Sequence, residues 1–247
     1  MKGVILSAGK GTRMKELTGD TPKPLLKICN KTLLEIVIDG LKRCGVDEFF
    51  MVTGYLAEKI EKYLGNGSKY GVLIHFIRQE KQDGTGDALK ICKEFVGDSQ
   101  FFMTFADIIV HYENYIEMKR TFESEKCDVL LAVNWVNDPS QGAAVYLKEE
   151  SNIKTKKVKQ IVEKPKVNVS TTNWNNSGIY IFPPLIFEYV NKIAPSPRGE
   201  YELTTAIDDM IKDGKNVRAF EIKGYWSDVG TPDDLKKIND LFYSKNI

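Results

Sequence analysis

The chain reads as an α/β protein built on a Rossmann-like, mostly parallel mixed sheet with helices on both faces. Short, unbroken apolar runs such as Val4-Ile5-Leu6 and Val129 to Val133 alternate with helix-period segments, the pattern of strands buried on both sides. Glycine-bearing polar stretches follow several of these runs. In open α/β sheets ligands bind at the carboxyl ends of strands, which is where those stretches fall.

Taken in order, the first strand centres on Val4 to Leu6 and enters the loop Ser7-Ala8-Gly9-Lys10-Gly11-Thr12-Arg13. Apolar residues at 33, 34, 37, 38 and 41 predict a helix over Leu33 to Cys44, stopped by Gly45. Phe49 to Val52, Val72 to Ile77, Phe101 to Phe105 and Val129 to Val133 are the next strands, the fourth strand of the chain ending at Asp107. Between them the sequence predicts helices over Glu58 to Leu64, Gly84 to Phe95 and Tyr112 to Phe122. After Val133 the alternation is lost. A strand pair, Gly142 to Leu147 and Val158 to Glu163, is joined by a polar loop. Gly178 to Phe182 and Val217 to Ile222 are further strands, with helices over Pro183 to Ile193, Glu202 to Ile211 and Pro232 to Phe242, the last capped by Thr231. This divides residues 1–247 into one domain with two lobes, 1–135 and 136–247.

Composition excludes several classes. The 247 residues are 42% hydrophobic and 28% charged with a formal net charge of +1, so a proper core is expected and a global field for nucleic acid is not. Cys29, Cys44, Cys92 and Cys127 form no C-x-x-C pair, which suits reduced, mostly buried thiols in the cytoplasm. The N-terminal apolar run is too short for a signal peptide, and no run reaches the length of a membrane span.

The chemistry concentrates first in residues 1–25. Gly9 and Gly11 let backbone N–H groups approach an anion, and Arg13 and Lys23 add positive charge suited to phosphate. A dinucleotide fingerprint is incomplete, because Met14 stands at the third glycine position, and no G-x-x-x-x-G-K-[ST] string occurs. Gln79, Gly84 and Thr85 place a carboxamide, backbone amides and a hydroxyl at the start of a helix, where a glutamine offers a donor and an acceptor to one edge of uracil or thymine. Asp107, at a strand's carboxyl end, is a candidate Mg²⁺ ligand, since that ion takes one or two carboxylates plus phosphate oxygens. His75 reads as structural, and no Ser/His/Asp or Cys/His set is evident.

The whole string resembles the signature of the sugar-1-phosphate nucleotidyltransferases, L-x-x-G-x-G-T-R-[LM] followed by P-K-P-[LM]. Leu6, Gly9, Gly11, Thr12, Arg13 and Met14 supply the first part, and Pro22, Lys23, Pro24 and Leu25 the second. Later segments are similar to that family's in the same order: Gln79 with Gly84-Thr85, Glu163-Lys164-Pro165, Asn176-Ser177-Gly178-Ile179-Tyr180, Glu200 to Thr204, and Trp226-Ser227-Asp228-Val229-Gly230-Thr231-Pro232. Ala106 and Ile108 depart from the family's usual neighbours of Asp107.

The resemblance implies the nucleotide-diphospho-sugar transferase fold and transfer of a nucleotidyl group to a sugar-1-phosphate with release of pyrophosphate. It implies a nucleotide site of Leu6, Ala8, Gly9, Gly11, Thr12, Arg13, Lys23, Gln79, Gly84 and Thr85, and a sugar-phosphate site of Gly142, Glu163, Lys164 and Asn176. Arg13, Lys23 and Lys164 are then the catalytic cations, and Asp107 and Asp228 the ligands of Mg²⁺. UTP or dTTP is the expected donor and glucose-1-phosphate the expected acceptor, an N-acetylhexosamine-1-phosphate being next. A homo-oligomer is compatible with this reading, and no nucleic acid or membrane partner is expected. Without a hexapeptide-repeat β-helix in the sequence, an additional acetyltransferase activity is not expected. The competing readings are a cytidylyl- or guanylyltransferase of the same fold and a non-catalytic nucleotide-sugar-binding regulator.

Overall fold

The computed structural model describes residues 1–148 and 154–245, and for Lys15 and Glu16 the backbone alone. The strands are β1 (Lys2–Ser7), β2 (Lys27–Ile28), β3 (Lys31–Thr32), β4 (Glu48–Thr53), β5 (Leu73–Arg78), β6 (Phe101–Phe105), β7 (Ile108–Val110), β8 (Val129–Trp135), β9 (Ala143–Lys148), β10 (Lys156–Glu163), β11 (Trp174–Phe182), β12 (Val217–Glu221) and β13 (Trp226–Asp228). The helices are α1 (Leu33–Arg43), α2 (Ala57–Leu64), α3 (Thr85–Lys90), α4 (Lys93–Val96), α5 (Glu113–Glu125), α6 (Ile186–Val190), α7 (Leu203–Lys212) and α8 (Pro232–Lys245).

A nine-stranded sheet runs in the order β5-β4-β1-β6-β11-β8-β12-β10-β9. The run β5-β4-β1-β6 is parallel, as is the pair β8-β12. Strand β11 enters antiparallel between β6 and β8, and β10 and β9 close the far side as an antiparallel pair. Strand β9 also meets β11 at Asn175 and Ala144, so that side curls back on itself. The polar loop expected between β9 and β10 falls largely outside the described residues.

Each buried strand feeds both faces, because successive side chains point to opposite sides. Val4, Leu6, Phe50, Val52 and Met103 pack with α3, α6 and α7, whereas Ile5, Phe49, Met51 and Phe102 pack with α1, α5 and α8. Each such side chain contributes about 1.5–3 kcal/mol on full burial, which is why two helical layers are held. Helix α1 starts at a capping box in which Thr32 Oγ1 accepts from Glu35 N–H (3.2 Å) and Glu35 accepts from Thr32 N–H (2.8 Å).

Several elements differ from the sequence expectation. The helix predicted over Gly84 to Phe95 is two helices, because at Cys92 the backbone tightens to an i→i−3 bond with Leu89 (2.9 Å). The segment Pro183 to Ile193 yields only the five-residue α6, because the backbone tightens to i→i−3 bonds on either side of it, Ile186 N–H to Pro183 O (3.1 Å) and Lys192 N–H to Tyr189 O (2.9 Å). Strand β11 begins four residues early and carries an irregularity at Gly178, whose φ of +79° suits glycine. Strands β2, β3, β7 and β13 were not foreseen; two- and three-residue strands are too short to show a period. Cys44, Cys92 and Cys127 are buried and Cys29 is exposed, all as free thiols. Among the described residues no helix is long and apolar enough to cross a membrane.

The register sets up the site. Leu6 lies beside Val52 and Phe105, and Thr53 beside Arg78. The carboxyl ends of β1, β4, β5 and β6 are therefore nearly level, and the segments that leave them open on one cleft.

Candidate active site

At the end of β1, Ser7 Oγ donates to the Val52 carbonyl (2.7 Å) and Ala8 O accepts from Tyr55 N–H (3.1 Å). Gly11, at φ +62°, turns the chain into a 3-10 segment, Thr12–Thr18, that carries Arg13. Met14, standing where a dinucleotide loop has its third glycine, is fully buried and roots this segment in the protein. Lys23 follows Pro22 on a short 3-10 turn, and its side chain, 10% exposed, runs beneath the loop. A Cβ on Gly11 would lie 3.0 Å from Lys23 Cβ, so the loop and the lysine are packed together.

Lys23 Nζ donates to Asp107 Oδ2 and stands 3.9 Å from Asp228 Oδ1. Arg13 Nη2 is 3.8 Å from Asp228 Oδ2 and lies against the Gly230 backbone, where an added Cβ would be 2.9 Å away. The two carboxylates, far apart in sequence, meet because β7 and β13 pair antiparallel with Asp228 opposite Ile108, and Val229 N–H donates to Asp107 O (3.0 Å). Ile108 thus serves the ladder and the core, and Ala106 is buried with its N–H on Leu6 O (3.0 Å). Neither residue displaces Asp107 from the cleft.

Desolvation first and the Asp107 charge second raise the Asp228 carboxyl, Lys23 and Arg13 pull the other way, and the net is a carboxyl pushed up to about 6. Two carboxylates whose mutual repulsion Lys23 and Arg13 only partly offset fit Mg²⁺, which takes few protein oxygens and completes its shell with phosphate and water. Among the described residues no group of three or more His, Cys, Asp or Glu side chains could hold a metal by itself, so a closed protein cage is not what these residues offer.

Beyond the glycine loop, Gln79 is buried at the end of β5, its N–H on Thr53 O (2.8 Å). Its Nε2 donates to Asp87 Oδ2 (2.8 Å) and to Gly84 O (3.3 Å). The donor that the sequence reading offered to a base is therefore turned into the protein. Gly84 has φ +118° and faces the Tyr201 backbone, where an added Cβ would come within 2.5 Å of the carbonyl oxygen. Tyr201 N–H donates to Asp83 O and Gly86 N–H to Tyr201 O, both at 2.7 Å, and Thr85 Oγ1 accepts from Leu203 N–H (3.0 Å).

On the far side, Glu163 ends β10 and accepts from Thr204 Oγ1 (3.0 Å), with Arg198 Nη2 at 3.5 Å. Burial pushes the Glu163 carboxyl up, against the pull of Thr204 and Arg198. Arg198 also reaches Glu202 at 2.8 Å and Glu200 at 3.6 Å. Lys164 takes a positive φ of 39°, its N–H held by Gly142 O (2.7 Å), a backbone state seldom kept without a use. Asn176 Nδ2 donates to Tyr180 Oη (2.6 Å), and Asn175 Oδ1 fills the space a Cβ on Gly142 would need, at 2.3 Å.

Two cavities result. One of about 480 Å³ is lined by Leu6, Ala8, Gly9, Gly11, Thr12, Arg13, Lys23, Gln79, Gly84, Thr85, Asp107 and Lys164 among others. The second, of about 680 Å³, is lined by Gly142, Glu163, Lys164, Asn176, Asp107 and Asp228 among others. They share Arg13, Thr85, Phe105, Asp107 and Lys164, so every residue that the sequence assigned to a nucleotide, sugar-phosphate or metal site borders one cleft. Sequence reasoning missed Gln82, Phe105, Asp138, Gln141 and Asn175 in the walls, and also Asp87 and Arg198, which lie against Gln79 and Glu163. The available sequence signal was proximity to the Gln79/Gly84-Thr85 motif for Asp87 and to the Glu200 to Thr204 segment for Arg198.

The sequence profile of the nucleotidyl transferase family matches residues 2–245. The chain is 35% identical over 242 residues to the low-salt glycan biosynthesis nucleotidyltransferase Agl11 of Haloferax volcanii, covering 98% of this chain and 66% of that one. It is 37% identical over 245 residues to the bifunctional protein GlmU of Methanocaldococcus jannaschii, covering 99% and 55%. The chain thus spans two thirds or less of the length of these curated relatives. A crystal structure from Bacillus anthracis, of a chain provisionally assigned as a glucose-1-phosphate thymidylyltransferase and complexed with sucrose, superposes with a TM-score of 0.87 at 28% identity, covering 98% of this chain and 94% of that one.

Proposed function

Since the chain belongs to the nucleotidyl transferase family, we propose that its cleft joins a nucleoside triphosphate to a sugar-1-phosphate, with UTP or dTTP as donor and glucose-1-phosphate as acceptor. The observation that carries this reading is the joint between the two cavities, where Asp107, Lys164 and Arg13 border both. One cavity has the glycine loop and cations a triphosphate needs. The other has carboxylate, carboxamide and hydroxyl groups suited to a sugar, and reacting groups held in each would meet at the shared wall.

In the reaction an oxygen of the sugar phosphate forms a bond to the α-phosphorus, the bond from that phosphorus to the β-phosphate bridging oxygen breaks, and pyrophosphate leaves with the electron pair. The nucleophile is already anionic, so no general base is required; positioning and charge neutralisation suffice. Arg13 is assigned to the β- and γ-phosphates, Lys23 to the α-phosphate where charge develops, and Lys164 to the incoming phosphate. Glu163 and Asn176 are assigned to sugar hydroxyls, and the backbone at Gly142 to close approach of the sugar. Mg²⁺, held by Asp107 and Asp228, would supply further positive charge against the triphosphate. Lys23, already paired with Asp107 in the protein alone, is held in place before substrate arrives, which lowers the reorganisation needed at the transition state.

The test is Mg²⁺-dependent pyrophosphate release over a matrix of UTP, dTTP, CTP, GTP and ATP against sugar-1-phosphates. Release with UTP or dTTP and glucose-1-phosphate, lost in Asp107→Asn and Lys164→Ala, is the expected outcome. Release with CTP or GTP alone overturns the donor, and nucleotide binding with no release from any pair overturns the reaction.

A further inference from the structure

Beside Gln79 the cleft wall is backed by a carboxylate that the motifs do not include. Asp87, in the first turn of α3, and the carbonyl of Gly84 both lie against the Gln79 carboxamide, at 2.8 and 3.3 Å from Nε2. A carboxylate and a peptide carbonyl only accept, so the end of the carboxamide that faces them must be the NH₂. This fixes which way the amide points on chemical grounds, where the shape of an amide alone would not. Among the described residues no N–H or O–H donates to Gln79 Oε1, and that atom is not sealed from its surroundings although the residue as a whole is buried. Gln79 lines the first cavity.

We propose that Asp87 is a positioning residue that selects the nucleobase: by holding the NH₂ of Gln79 inward, it leaves only an acceptor oxygen to meet the base. This rests on the reading of the first cavity as a nucleotide site. Uracil and thymine carry a hydrogen on ring N3, which such an oxygen accepts. Cytosine has a lone pair at the same position, so two acceptors would face each other. An Asp at position 87 therefore excludes cytosine through Gln79 without touching the base itself. A neutral residue able to donate at position 87 would let the carboxamide turn over and present its NH₂ instead.

The experiment is calorimetric titration of the purified protein with UTP and with CTP, in the presence of Mg²⁺ and without an acceptor, so that no turnover intervenes. The wild-type protein is expected to bind UTP at least about tenfold more tightly than CTP, as a site built around one hydrogen-bond pattern rejects the analogue that lacks it. In Asp87→Asn the ratio is expected to fall about tenfold, with UTP weaker and CTP tighter, because asparagine can offer its own NH₂ to Gln79 Oε1. In Asp87→Ala the ratio falls through loss of UTP binding alone. In a Gln79→Met background, adding Asp87→Asn leaves the ratio unchanged. A merely structural role for Asp87 would weaken both nucleotides together, and that result overturns the proposal, as does a wild-type ratio near one. Pyrophosphate release is scored separately: the predicted binding ratios without release count against the reaction and not against Asp87, whereas absence of any nucleotide binding overturns both.

Discussion

Replacing Gly84 by alanine tests whether the loop ahead of α3 and the segment ahead of α7 are a single packed unit. Gly84 lies at φ +118°, a region almost closed to residues with a Cβ, and the added carbon would stand 2.5, 2.7 and 3.0 Å from the O, N and carbonyl carbon of Tyr201. These are backbone atoms, so no rotamer change relieves the clash. Forcing an L-residue into such a conformation costs about 1–3 kcal/mol. Moving Tyr201 away breaks its N–H bond to Asp83 O and the Gly86 N–H bond to its carbonyl, both 2.7 Å, each contributing about 1 kcal/mol. The expected loss is about 3–5 kcal/mol against a total stability of about 5–15 kcal/mol for a domain of ordinary size. Urea unfolding followed by circular dichroism measures it. Where Gly84→Ala still folds, KM for the nucleoside triphosphate should rise more than kcat falls, since the Lys23 and Lys164 side chains lie outside the disturbed turn. A loss below about 1 kcal/mol with KM unchanged would refute the argument, because it would mean that the two segments part freely.

Lys23→Ala is expected to lower kcat by a factor of about 10² to 10³, the scale of losing one preorganised charge contact, in an assay of pyrophosphate release. Nucleotide affinity should change much less, because Arg13 and the glycine loop remain. For Asp228 the sign follows from its carboxyl being raised from 3.8 to about 6 in the folded protein. Folding then favours the protonated form, so that contribution is fully present below about 3.8 and is lost as pH rises through about 6. With divalent cations chelated, Asp228→Asn should accordingly have a higher melting temperature than wild type at pH 8, with the gap narrowing as pH falls through about 6 and closing only below about 3.8; because the side chain is 41% exposed, water and salt reduce the size of the effect. A gap that widens on acidification would reverse the sign and contradict the electrostatic picture of the carboxylate pair.

The parallel half of the fold was legible because its strands are short apolar runs buried on both faces, and α1 because its period and its stop at Gly45 agree. The breaks were not. Gly84 to Phe95 carries a helical pattern throughout, yet Leu89, Cys92 and Val96 are all fully buried, and the turn at Cys92 that separates α3 from α4 leaves the apolar period intact. β7 and β13 were invisible for a different reason. Each is three residues long, and each exists only because the other pairs with it across more than a hundred residues of chain. The union of Asp107 with Asp228 was therefore expected from resemblance alone, and the ribbon is its physical cause.

The same distinction runs through the site. Residues that would touch phosphate or sugar, such as Arg13, Lys23 and Lys164, had to combine a special backbone with a special side chain, and that combination leaves a pattern in the sequence. Lys164 shows it well: a lysine after a strand would be an ordinary surface residue, but its φ of +39° and the hold of Gly142 on its N–H place it on the wall common to both cavities. Asp87 and Arg198 face no such double demand. Asp87 occupies an ordinary helical position and Arg198 a loop, and each gains its meaning from a partner, Gln79 and Glu163, that is itself identified by a motif. A carboxylate beside a carboxamide fixes which end of that amide faces the ligand, and a guanidinium within 2.8–3.6 Å of three carboxylates ties Glu163 to the segment that carries Glu200 and Glu202; neither effect requires a particular spacing in the chain. The groups that tune the cleft are therefore found by asking what holds each motif residue in its orientation, and that question is answered by the fold.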